Sequence, residues 1–353
     1  MSVLYPINEL VAMGVAQRAS DIHIVCGIPI RFRVDGVLVN VDNNVMQPED
    51  CEAYARSLSS EYDKIAKIGE LDLAFGTPDG TRLRVNLFRQ QGNTSCAIRI
   101  LNNHIPSFEE IGLPPQVQAF TDFKQGIVLV TGETGSGKST ALACLLDKIN
   151  HTQSKHIITL EDPIEYIYTP DKCIINQREI GHDTRSYSDG LNAILREDPD
   201  VILIGEMRNL ATIETALMAA ETGHLVFATL HTNSASDTVD RIVDVFPSDQ
   251  QPQIRMQLSM SLQAVVCQQL IPHISGRGRV KALEVMKVTP AIRNLIREGK
   301  TPQIANAITT SQGEGNFLMD AHLIQLYRQR KISGDAAVHH ARDKDYVRRS
   351  TTF

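Results

Sequence analysis

The chain has 353 residues, 42% hydrophobic and 22% charged, the balance of a globular protein with room for two domains of ordinary size. A formal net charge of -6 argues against a protein that lives on nucleic-acid phosphates. Cys26, Cys51, Cys96, Cys144, Cys173 and Cys267 form no CxxC pair, which fits a reducing compartment better than a zinc site or a disulfide framework.

Residues 5–17 carry Leu4, Ile7, Leu10 and Val11 at helical spacing and predict an amphipathic helix. Short alternating strands follow at Asp21–Val25, at Ile30–Val34 with an Asp35-Gly36 turn, and at Val37–Val41. A helix is expected over 48–67, with Pro48 just inside its start. Strands near 71–75 and 81–88, joined by Pro78-Asp79-Gly80, and one at 95–101 complete a small α+β domain, residues 1–105. Residues 106–120, rich in Pro, Gly and acids at their start, read as a linker. From 121 to 353 strands and helices alternate: Ile127–Thr131, helix 138–149, Ile157–Leu160, helix 187–196, Val201–Ile204, helix 210–221 and Leu225–Thr229. Strands this apolar throughout belong in a parallel sheet covered on both faces, so the fold class is α/β with a RecA-like or other doubly wound core. The last ~70 residues read as mostly helical. No run approaches the ~18 apolar residues of a spanning helix, and MSVLYPINEL lacks the basic start and apolar block of a secretory signal. The expected location is cytoplasmic.

Gly132-Glu-Thr-Gly-Ser-Gly137-Lys138-Ser139 matches G-x-x-x-x-G-K-[ST], between an apolar strand and a helix face of Leu142, Leu145, Leu146 and Ile149. Gly132, Gly135 and Gly137 let backbone N–H groups curl around phosphate oxygens, joined by those of Thr134, Ser136 and Thr140. Lys138 brings a point charge to the β- and γ-phosphates, the Ser139 hydroxyl suits Mg²⁺, and the helix start adds its dipole. ATP and Mg²⁺ are the expected ligands.

Hydrolysis also needs a group that positions water. Glu161 and Glu165 follow the strand Ile157–Leu160, and Glu206 follows Val201–Ile204 across Gly205. These are strand ends where open α/β sheets bind ligands. No Asp stands at the end of the second strand. Glu206 is therefore the water-positioning base, a Mg²⁺ ligand acting directly or through water, or both, with Glu161 and Glu165 as alternative bases. His231, after the next strand, is placed to sense the γ-phosphate or polarise water.

Taken together, Gly132–Thr140, Thr159–Tyr166, Leu195–Arg208 and Ala228–Asn233 resemble, in order and spacing, the four motifs of the secretion ATPase superfamily of P-loop NTPases. The likeness extends upstream through Ala19–His23, Arg33–Gly36 and Arg82–Asn86. Asn209 departs from the Asp usual in that family, beside the acid rather than in its place. Ala291–Glu298 resembles the C-terminal signature of the retraction ATPases of type IV pili. The stretch Ile271–Arg279 lacks the four-cysteine insertion of polymerising and type II secretion relatives. This resemblance implies a RecA-like core, a PAS-like N-terminal domain, C-terminal helices and a homohexameric motor for pilus retraction; a secretion or pilus-assembly ATPase is the alternative. It further implies an inner-membrane platform protein as partner, a peripheral position at the cytoplasmic membrane face and no nucleic acid. Arg82, Arg84 and Arg99, with Arg241 behind them, become candidates for arginines that reach the nucleotide. On the strand 81–88, alternation puts Arg82, Arg84 and Asn86 on one face and Leu83, Val85 and Leu87 on the other. In the helix 291–298, Ile292, Leu295 and Ile296 share a face, and the resemblance gives that helix a coupling role.

Overall fold

A computed structural model describes residues 4–34, 36–101 and 104–351, with only the backbone of residues 66 and 67; Asp35 of the expected Asp35-Gly36 turn lies outside them. By internal contacts the chain divides into two compact units, Met1–His104 with Glu165–Ile167, and Ile105–Ile164 with Tyr168–Phe353.

In the first unit, strands β1 (Ala19–Ile24), β2 (Pro29–Val34), β3 (Val37–Val45), β4 (Glu70–Gly76), β5 (Arg82–Gln90) and β6 (Asn93–Ile100) pair antiparallel in the order β3-β2-β1-β6-β5-β4. Side chains alternate between faces along a strand, so Leu83, Val85 and Leu87 are fully buried while Arg84 is exposed. Helices Ile7–Ala16 and Pro48–Leu58 contribute Leu10, Val11 and Tyr54 to the same core. The Tyr54 hydroxyl ties that core to the chain start: it accepts from the Tyr5 N–H (3.0 Å) and donates to the Tyr5 carbonyl (2.9 Å). The helix expected over 48–67 stops at Leu58. Ser59 turns extended and its hydroxyl accepts from the Glu61 N–H, an alternative that short polar side chains offer the backbone.

The second unit carries β7 (Gly126–Thr131), β8 (His156–Glu161), β9 (Ile174–Glu179), β10 (Val201–Ile204), β11 (Leu225–Leu230), β12 (Leu262–Pro272) and β13 (Arg279–Lys287). Their order is β13-β12-β7-β11-β10-β8-β9, parallel except for β13, which pairs antiparallel with β12. Every residue of β7, β10 and β11 is buried, as continuous apolar runs require in a sheet covered on both faces. The fold is thus mixed α/β with a parallel core. Residues 106–120, expected as a linker, pack within this unit: Leu113, Val117 and Phe120 are buried, and the Cys144 thiol donates to the Pro106 carbonyl. Helices Met319–Arg328, Gly334–His340 and Lys344–Thr351 form a C-terminal cluster against Ile271 and Ala282. No helix among the described residues is long and apolar enough to cross a membrane.

Candidate nucleotide site

Parallel pairing places the ends of successive strands along one edge of the sheet. Ala228 of β11 lies level with Leu129 of β7 and Ile204 of β10, and Ile204 lies level with Leu160 of β8. Gly132 and His231 follow directly from those ends, Glu161 closes β8, and Glu206 follows β10 across Gly205, all within a hundred positions of the chain.

The loop after β7 is built to be backbone only. Gly132 has φ +140°, and a Cβ there would run into the Gln268 carbonyl of the adjacent β12. Gly137, φ +85°, turns the chain into the helix Lys138–Thr152, whose first turn holds Ser139 and Thr140. Thr134 and Gly135 are exposed while Ser136 is buried beneath them. The Lys138 ammonium arches back over the loop, donating to the Gly132 carbonyl at 2.8 Å and the Glu133 carbonyl at 3.0 Å.

From there a polar chain runs across the sheet edge. Lys138 Nζ lies 3.5 Å from His231 Nδ1, and His231 Nε2 lies 3.1 Å from Glu206 Oε1. Lysine only donates, so Nδ1 is the acceptor and the proton sits on Nε2, directed at the carboxylate. Arg208 closes the chain, 2.7 Å from the other Glu206 oxygen. Burial acts to raise the Glu206 carboxyl pKa, but Arg208 and His231 outweigh it and hold it below its ordinary value. The group is thus a carboxylate, an acceptor for a proton or for water.

Gly205 brings Glu206 close to β8. Its N–H donates to the Leu160 carbonyl at 2.7 Å, and its own carbonyl accepts from the Thr229 hydroxyl at 2.5 Å. A Cβ on Gly205 would stand 2.8 Å from the Tyr187 hydroxyl. Glu161, beside it, is buried with one oxygen engaged by the Thr159 hydroxyl (2.6 Å) and the Gln177 amide (3.2 Å). Glu165 is exposed and groups by its contacts with the first unit. Arg82, Arg84 and Arg99 also belong to the first unit. Arg99 is paired with Asp21 at 3.1 Å and stands level with Arg84, which has no ion pair or side-chain hydrogen bond among the described residues. Arg241 is exposed near the end of the helix Ala235–Asp244.

Asn209 caps the helix Leu210–Glu221, accepting from the Thr212 N–H at 2.9 Å. Asp and Asn serve about equally at that position, so the departure is structurally mild. In the helix Pro290–Arg297, Ile292 and Ile296 are buried, and Arg293 donates to the Ser259 and Met260 carbonyls, capping the end of the helix Gln251–Ser261. Sequence reasoning missed Arg208, Gln268 and Tyr187 as site residues. Arg208, two places after the acid, carried a signal; the other two are brought in from 132 and 18 residues away.

The profile of the family described as Type II/IV secretion system protein matches residues 2–326. The type IV pilus retraction ATPase PilT of Pseudomonas aeruginosa is 44% identical over 333 residues, 94% of this chain and 96% of its own. A twitching motility protein of Neisseria gonorrhoeae is 41% identical, over 97% of this chain and 92% of its own. A crystal structure of the pilus retraction motor PilT with bound ADP superimposes with a TM-score of 0.92 at 45% identity, covering 98% of this chain and 99% of that one. With its family profile matched over nearly the full length and relatives above 40% identity end to end, the chain belongs to the family of type II/IV secretion system proteins.

Proposed function

We propose that this protein is an ATPase motor that drives type IV pilus retraction, binding Mg²⁺-ATP on the Gly132–Thr140 loop and hydrolysing it at Glu206. The observation that carries the reading is the chain Lys138–His231–Glu206, three motifs joined at one sheet edge with the carboxylate ionised. Glu206 accepts a hydrogen bond from the attacking water and draws its proton, while His231 Nε2–H fixes the carboxylate's orientation. Lys138 exchanges its bonds to the Gly132 and Glu133 carbonyls for the β- and γ-phosphate oxygens. Magnesium neutralises phosphate charge when bound. The oxygen donors present, the Ser139 hydroxyl and the Glu206 carboxylate directly or through water, suit that ion, which usually takes few protein ligands beside phosphates. Glu161, tied to Thr159 and Gln177, serves the site by holding the neighbouring strand end.

The pilus reading rests on the relatives of matching length and on the 291–298 signature. Under it the chain works as a homohexamer, peripheral to the inner face of the cytoplasmic membrane, on a platform protein and without nucleic acid. Under the same reading, relative motion of the two compact units drives the work. Arg84, exposed and uncompensated, is the arginine best suited to reach a nucleotide; Arg99 is occupied by Asp21.

Phosphate release from Mg²⁺-ATP, compared between wild type and Glu206→Gln with single-stranded DNA added in parallel, tests the reading. The expected result is a ~10²–10⁴-fold loss in the variant, unchanged ADP binding and no DNA effect. Full turnover by Glu206→Gln moves the base elsewhere. DNA stimulation, or normal pilus retraction in cells lacking the protein, overturns the motor assignment.

A further inference from the structure

Behind the phosphate loop stands a second lysine. Lys281 lies on β13 opposite Leu270 of β12, is 8% exposed, and its ammonium has no hydrogen-bond partner among the described residues. A Cβ placed on Gly137 would lie 4.0 Å from Lys281 Nζ, 3.7 Å from Gln268 Nε2 and 3.8 Å from the Leu270 side chain. Gln268 in turn donates to the Ser136 carbonyl at 3.0 Å, while its own Oε1 and the Ser136 hydroxyl are buried without partners among the described residues. Unpaired polar atoms therefore collect beneath the turn Ser136–Lys138, where packing alone would call for apolar groups.

We propose that Lys281 is a second lysine of the phosphate site, standing behind Gly137 and lending positive charge to the phosphates that the loop binds. This rests on the loop being the nucleotide site. A buried ammonium with no counter-charge is strongly unfavourable unless a partner arrives, and a polyphosphate on the loop is that partner. Lys138 reaches the phosphates from the front by hydrogen bonds; Lys281 acts from behind the backbone, through its field.

Proton linkage makes the idea measurable. Burial pushes the Lys281 pKa down to about 8, with Cys144 acting in the opposite direction. Cys144 faces it from the helix Lys138–Thr152. Glu133, Arg279, His339 and His340 line an adjoining cleft of about 440 Å³ together with Gln268 and Leu270. Bound phosphates favour the charged lysine, so its pKa rises on binding and the protein takes up a proton. The added affinity is complete below pH 8 and lost as pH rises through the higher, bound-state value. A one-unit rise corresponds to about tenfold in affinity and to uptake of about half a proton at pH 8.5.

Calorimetric titration of the full chain with Mg²⁺-ADP, at pH 7 and 9.5 and in buffers of different ionisation enthalpy at pH 8.5, tests this. Lys281→Met is expected to bind about tenfold more weakly at pH 7 and to lose the half-proton uptake. Lys281→Arg keeps the affinity but not the uptake. The Met chain replaces an unpaired charge, so its thermal midpoint without nucleotide is expected to equal or exceed that of wild type. Lys138→Ala separates the two readings. If it abolishes binding while Lys281→Met matches wild type in affinity and proton uptake, the Lys281 proposal is overturned and the nucleotide site stands. If Lys138→Ala binds ADP normally, the site itself is misassigned.

Discussion

Gly205→Ala probes how tightly Glu206 is set. An ideal Cβ at 205 would stand 2.8 Å from the Tyr187 hydroxyl, 3.1 Å from the Leu160 carbonyl oxygen and 3.4 Å from the Glu161 Cα. Against an ordinary contact of about 3.4 Å or more, the first is about 0.6 Å short and the second about 0.3 Å short. Tyr187 can swing away, but the Leu160 oxygen is fixed by the β8–β10 pairing, so β10 must shift and carry Glu206 with it. Overpacking of this kind costs about 1–3 kcal/mol, which in a unit of this size lowers the thermal midpoint by about 2–4 °C per kcal/mol. A misplacement of about 1 Å costs ~10²-fold in rate, so a shift of about 0.3–0.5 Å gives a fall in kcat of about 4- to 10-fold. The Tyr187 hydroxyl makes no hydrogen bond among the described residues, so Tyr187→Phe alone should change stability by no more than about 0.5 kcal/mol. Combined with Gly205→Ala it relieves the worse contact, so the double variant should recover part of both losses, with a coupling of about 0.5–2 kcal/mol. Melting curves and steady-state phosphate release on the four proteins measure the cycle. Strict additivity would refute the steric account, as would a Gly205→Ala protein with wild-type kcat.

Arg208→Ala removes the guanidinium that, with His231, holds the Glu206 carboxyl below its ordinary pKa against burial. The carboxylate then protonates at a higher pH, so the acid limb of the kcat–pH profile should move upward; an unmoved limb separates Glu206 from the proton step. His322, whose Nδ1 accepts from the Leu283 N–H at 2.9 Å, has a pKa pushed by burial down to about 4. Because an unfolded histidine titrates near 6.5, stability is full above that pH and falls as pH drops from about 6.5 to 4, by roughly 3 kcal/mol in all. His322→Asn keeps an acceptor and cannot take the proton, so thermal midpoints measured from pH 7 to 4.5 should fall less steeply than for wild type.

Several readings of the sequence failed, one to a competing local turn and others to tertiary contacts. The helix expected over 48–67 is interrupted by Ser57, Ser59 and Ser60, of which Ser59 offers a competing turn, and the chain breaks there. The Pro- and Gly-rich start of 106–120 suggested a linker, although Leu113, Val117 and Phe120 find buried positions in the second unit. Strands β9 and β13 went unassigned: β9 is half exposed in its alternation, and β13 leads into a stretch read as mostly helical. Conversely, the strands β7, β10 and β11 were legible almost to the residue, since a run buried on both faces admits little else.

Local chemistry was enough to find the phosphate loop, the acids and histidine after successive strands, and the alternation of Arg82 and Arg84 with a buried face. Each depends on near neighbours: glycine tolerates positive φ, strands alternate, and strand ends in a parallel sheet share an edge. Which acid joins His231, which arginine is neutralised by Asp21, and what lies behind the loop are set by strand order and register. Those bring Gln268 and Lys281 beneath residues 136–138 and leave Glu161 bound to Gln177, because pairing in three dimensions joins positions whose separation along the chain carries no local signature.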